Sequence, residues 1–141
     1  MGAVVLGSVA AGGWTAGSNV PHIIELEGLP EGLSCFWLSQ DIYTRMEVMI
    51  ENLVSFVIFP GGAGTVQELF ALMIFKHQGS DLMKGKKVVI FNRPDENGVG
   101  FWDALLPLME EVCEPGDYDI TTSLDGVMRL LKEHTGEFEP A

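Results

Sequence analysis

The stretch Phe56-Val57-Ile58-Phe59-Pro60-Gly61-Gly62-Ala63-Gly64-Thr65 constrains this chain more than any other. Its first four residues are apolar and largely β-branched or aromatic, which suits a buried strand. Pro60 has no N–H to give to a ladder and stops that strand. Glycines 61, 62 and 64 then admit backbone approaches that a Cβ would block. From Thr65 the spacing of Leu69, Leu72, Met73 and Lys76 predicts a helix running to His77. Strand, glycine turn and helix start, in that order, gather free backbone N–H groups at the positive end of a helix dipole. Such an arrangement binds anions, most often phosphate.

The familiar phosphate motifs do not fit. A P-loop needs a lysine directly after its last glycine, and none occurs here before Lys76. A dinucleotide fingerprint would use Gly62 and Gly64, but Gln67 stands at its third glycine. What does fit is Pro-Gly-Gly-x-Gly-Thr-x-x-Glu, met by Pro60, Gly61, Gly62, Gly64, Thr65 and Glu68. This pattern resembles the signature of the Lonely Guy (LOG) family of nucleoside-monophosphate phosphoribohydrolases. The nucleotide 5′-monophosphate nucleosidases, and relatives once labelled lysine decarboxylases, resemble it too. Upstream, Asp41-Ile42-Tyr43-Thr44-Arg45 is similar to the family's Asp-Met-His-Thr-Arg-Lys, with Met46 where the family has its lysine.

The resemblance implies a site. Gly61, Gly62, Ala63, Gly64 and Thr65 would hold a 5′-phosphate, Glu68 and Arg45 would be catalytic, and no cofactor or metal would be needed. Read from the residues alone, Glu68 sits in the first turn of its helix, where a carboxylate also simply complements the dipole. Arg45 lies off the apolar stripe Ile42, Met46, Met49 and Ile50, as a solvated surface arginine would.

Composition bounds the rest. A chain of 141 residues with 47% hydrophobic content suits a single domain with a real core. No apolar run approaches the ~18 residues a membrane span requires, and the N-terminus lacks a signal-peptide pattern. Cys35 and Cys113 form no metal spacing and no disulfide framework, which points to a reducing cytoplasm. A net charge of −12 repels phosphate backbones and argues against nucleic-acid partners.

Taken in order, Gly2 to Ala11 reads as a helix ended by Gly12-Gly13. By resemblance, Met1-Gly2-Ala3 and Gly12-Gly13 match the tail of the family's second glycine turn and the helix after it. The chain is then expected to begin inside the family fold, without its first strand and helix. A strand is expected within Trp14 to Leu26, best at Val20 to Ile24, with Pro21 pushing it to an edge. His22 in that run reads as structural. Cys35 to Leu38 is a short strand, and Asp41 caps a helix from Ile42 to Asn52. A polar loop from Gln78 to Lys87 leads to a strand at Val88 to Phe91. A helix from Phe101 to Val112, kinked by Pro107, a strand at Tyr118 to Thr121, and a helix from Leu124 to His134 capped by Ser123 complete the chain. Gly136 to Ala141 reads as a frayed tail. The segment Phe101-Trp102-Asp103 resembles a family segment lining the pocket or the subunit contact, and core packing explains it equally well.

Strand and helix alternate without repeat or linker. The expectation is α/β, a Rossmann-like, mainly parallel sheet flanked by helices. Function stands between two readings. One is hydrolysis of the N-glycosidic bond of a nucleoside 5′-monophosphate to free base and ribose 5-phosphate. The other is a non-catalytic nucleotide or molybdenum-cofactor carrier of the same fold, which Met46 and the short N-terminus favour. Both imply a homodimer by resemblance, a small-molecule ligand and no membrane partner.

Overall fold

The computed structural model describes residues 2–135. It falls into two compact units, one reaching to Glu51 and one starting at Asn52. Residues 136–141, read above as a tail, lie outside the described residues.

The first unit opens with helix α1, Gly2–Ala10. Gly12 ends it with φ +74°, its N–H on Val9 O at 3.0 Å, while Gly13 N reaches Ser8 O at 2.8 Å. This pair of crossed bonds is the Schellman closure, and the positive φ is what a glycine supplies there. Strand β1, Ala16–Asn19, then runs into helix α2, Pro21–Glu27, and strand β2, Cys35–Leu38. The two strands pair in parallel, Ala16 with Cys35 and Asn19 with Leu38. Helix α3, Ile42–Asn52, follows, with Met46 and Ile50 buried as its apolar stripe required.

The strand expected at Val20 to Ile24 is therefore a helix. Pro21 occupies its first turn, where a missing N–H costs nothing and φ is already set. Val20, forced to extended geometry before a proline, becomes the N-cap (φ −114°, ψ 153°). The strand sits one step earlier, on small and polar residues with no hydrophobic signal. His22 is exposed on α2.

The second unit holds strands β3 (Ser55–Ile58), β4 (Lys87–Phe91) and β5 (Asp119–Thr121), ordered β3-β4-β5 and parallel throughout. Helix α4, Ala63–His77, joins β3 to β4. A 3₁₀ turn at Asp81–Met83 interrupts the connection and buries Met83. Helices α5, Leu106–Val112, and α6, Leu124–Thr135, complete it. Ser123 caps α6 as expected, its hydroxyl accepting from Gly126 N at 3.0 Å. Central strand β4 is buried on both faces: Val89 and Phe91 pack with Val127 and Leu130 of α6, while Val88 and Ile90 lie buried on the other. That is the pattern of a parallel strand covered on both sides.

Two boundaries move. Pro107 does not kink a helix; it stands in the first turn of α5, and Phe101 to Leu105 form the turns before it. Lys87 belongs to β4 rather than to the loop, and its ammonium meets Asp119 at 2.8 Å. Helices alternate with parallel strands, so the fold is α/β and Rossmann-like.

Candidate active site

The glycine turn leaves the C-terminal end of β3, the end at which parallel sheets bind ligands. Helix α4 begins earlier than periodicity indicated, at Ala63, with Gly62 as N-cap (φ −87°, ψ −157°). Val66 N donates to Gly62 O at 3.1 Å, the first bond of the helix. Ala63, Gly64 and Thr65 are thus its first three residues, whose N–H groups have no carbonyl one turn back. Such groups are usually met by a Ser, Thr, Asp or Asn at the cap. Here the cap is glycine, which brings no side chain of its own to meet them.

The glycines divide by what a Cβ would meet. At Gly61 it would collide with the Thr65 hydroxyl and lie 2.9 Å from Thr65 Cβ, so the threonine folds back over this residue. At Gly62 and Gly64 it would meet nothing within 4 Å. Packing requires glycine at 61 only. The other two keep the approach to the helix terminus open.

Glu68 is half-buried, and the earlier helix start moves it out of the first turn into the second. Dipole compensation, which fades within one turn, no longer accounts for it. At i+4 from Gly64 and i+3 from Thr65, it shares their face of the helix. The structure therefore gathers Gly61, Gly62, Ala63, Gly64, Thr65 and Glu68 on one short segment.

Arg45 belongs to the first unit. Asp41 Oδ1 accepts from the N–H groups of Tyr43 and Thr44 at 2.9 Å each, fixing the start of α3. One turn on, Arg45 is half-buried and its Nε donates to Ser18 O of β1 at 3.0 Å. It is pinned to a strand rather than solvated. Met46 beside it is buried, where a lysine ammonium would be costly.

Two cavities of the second unit lie away from the glycine turn. One of about 290 Å³, lined by Lys76, Lys86, Lys87, Asp119 and His134, is at the opposite end of the sheet. An apolar hollow of about 410 Å³ lies between Phe70, Met73 and Ile74 of α4 and Val112 of α5. Among the described residues no group of three or more His, Cys, Asp or Glu side chains converges as a metal site. Burial, and then the charge of Asp117, push the Cys113 thiol pKa up, making it a poor nucleophile at neutral pH.

A sequence model of the family described as "Possible lysine decarboxylase" matches residues 1–133. The chain belongs to this family, the LOG family. Among its curated relatives is the cytokinin riboside 5′-monophosphate phosphoribohydrolase of Mycobacterium marinum, 27% identical over 116 residues. That match covers 82% of this chain and 58% of the relative. A protein of the same name from Mycobacterium tuberculosis is 31% identical over 70 residues, 50% of this chain and 37% of that protein. The chain thus matches little more than half the length of the first of these relatives and less of the second. One part of the glycine turn was hidden in the sequence. Nothing in the helical periodicity of Leu69, Leu72 and Met73 says that the helix extends back through Gly64 to Ala63.

Proposed function

We propose that this protein hydrolyses the N-glycosidic bond of a nucleoside 5′-monophosphate, releasing the free base and ribose 5-phosphate. The observation that carries the reading is the glycine-capped start of α4 at the sheet end, with Glu68 one turn further on the same face. Membership of the LOG family and the names of its relatives support it.

The N–H groups of Gly62 to Thr65 and the Thr65 hydroxyl would hold the 5′-phosphate. With that group anchored, bond cleavage develops oxocarbenium character at C1′ of the ribose. The Glu68 carboxylate stabilises that charge and orients the attacking water, whose oxygen joins C1′. The bonding pair leaves with the base, which takes up a proton. Arg45 is assigned on the resemblance alone, as the cation that steadies the leaving base or the phosphate. A homodimer is proposed as well, with the apolar hollow between α4 and α5 as the face that suits a second copy. A cytoplasmic location follows the same reading, and no helix among the described residues is long and apolar enough to cross a membrane.

The test is base release from AMP by chromatography, beside Glu68→Gln. We expect release in the wild type and a loss of about a hundredfold or more in the variant. Ribose 5-phosphate should bind both alike. Binding of nucleotide without release in the wild type would favour the carrier reading, for which buried Met46 in place of a lysine is the supporting observation.

A further inference from the structure

The connection between β4 and α5 is built more firmly than a surface loop requires. Asn92 is 5% exposed and engages both ends of its amide. Its Oδ1 accepts from Trp102 N at 2.7 Å, and its Nδ2 donates to Asp103 Oδ1 at 2.7 Å. The second oxygen of Asp103 accepts from Gly100 N at 2.8 Å. A Cβ on Gly100 would collide with the Asn92 amide, so the closure needs glycine there. The tip is tied separately: Asp95 Oδ1 accepts from Asn97 N at 2.8 Å and Val99 N at 2.9 Å. Phe101 N donates to Arg93 O at 3.0 Å, closing the base of the loop.

This framework holds up one side chain in particular. Phe101 is 48% exposed, yet its ring stands edge-on against the buried Trp102, with centroids 4.8 Å apart at 84°. The loop also sits in a telling place. Strands β3 and β4 are parallel neighbours, Ile58 opposite Ile90, and the rings of Phe59 and Phe91 meet at 5.6 Å. The Asn92 loop and the glycine turn therefore leave adjacent strands at the same end of the sheet. A half-exposed aromatic on a hydrogen-bonded loop at the same sheet end as the glycine turn has the character of a stacking surface, since every nucleobase offers a π-face.

We propose that Phe101 is the surface on which the nucleobase of the substrate stacks, and that Asn92 and Asp103 are the residues that position it. The inference rests on the nucleotide reading above and adds to it a site for the base. Arrangement of the ligand then divides between two loops: the glycine turn takes the phosphate and the Asn92 loop takes the ring.

The experiment compares a ligand that has the base with one that lacks it. KM for AMP and the inhibition constant for ribose 5-phosphate are measured for the wild type, Phe101→Ala, Phe101→Tyr and Asp103→Ala. Phe101→Ala should raise the KM for AMP about tenfold. Its ribose 5-phosphate constant should stay within about twofold of wild type, and Phe101→Tyr should restore the KM. Asp103→Ala should follow Phe101→Ala, raising KM more than it lowers kcat; a purely structural loss would weaken both ligands together. Should Asp103→Ala fail to fold, the exposed Phe101 still decides the matter. An unchanged ratio of AMP to ribose 5-phosphate affinity in Phe101→Ala overturns the inference while leaving the hydrolase reading standing. If the wild type binds without releasing base, the same ratio is read from calorimetric Kd values. A wild type that binds neither ligand overturns both readings.

Discussion

Asp41 caps α3 with a single carboxylate oxygen shared by two backbone N–H groups. These bonds, that from Thr44 foremost, hold its pKa below the ordinary aspartate value. A group with a depressed folded pKa stabilises above its unfolded pKa, and the contribution is lost as pH falls through the folded one. Asp41→Ala should therefore lower Tm at neutral pH, and the gap to wild type should close as pH falls below the ordinary aspartate range. Asp41→Asn, which still caps but does not titrate, should stay near wild type at neutral pH. Thermal denaturation followed by circular dichroism checks both. The cap was legible because Ser39-Gln40-Asp41 precedes an apolar helical stripe. The anchoring of Arg45 to Ser18 was not, since that bond spans 27 residues and depends on where β1 falls. No local pattern marks Ala16-Gly17-Ser18-Asn19 as a strand. Its β-character comes from pairing with Cys35 to Leu38.

At the scale of elements, the glycine turn makes the sharpest prediction. Gly61→Ala forces a methyl into Thr65, so the turn must shift and both Tm and ribose 5-phosphate affinity should fall. Gly64→Ala meets no atom within 4 Å, and alanine is the better helix former. Its Tm should hold or rise while affinity for ribose 5-phosphate drops, because the methyl occupies the approach to the N–H groups. Calorimetry on the two variants separates these effects. Equal affinity in Gly64→Ala and wild type would remove the phosphate from this helix end. The strand-turn-helix order of this region was readable because proline and glycine punctuate it so strongly. Where proline has two meanings local pattern misleads: by sequence Pro21 reads as an edge marker and Pro107 as a kink, and both stand in the first turn of a helix. The brace of Asn92, Gly100 and Asp103 was equally invisible, being made of side chains joined across a loop.

The whole molecule is acidic, with a net charge of −12 and eight lysines and arginines. Its proposed ligand is an anion, so recognition must be local, by backbone dipoles and single cations, rather than by a broad positive field. If the apolar hollow between α4 and α5 meets a second copy, sedimentation should give a mass near twice 15.4 kDa. Ile74→Glu, placed in that hollow on an exposed residue, should return it to the monomer with little loss of Tm. The family label of lysine decarboxylase and the phosphoribohydrolase names of the relatives predict different products, which makes the decisive measurement simple. Purified protein is incubated with AMP, and separately with lysine, and the products are followed by proton and phosphorus NMR. Adenine and ribose 5-phosphate appearing in equal amounts, with lysine untouched, is the predicted result. AMP left intact, or adenosine and inorganic phosphate in its place, would contradict the assignment of this glycine turn and Glu68 to glycosidic hydrolysis.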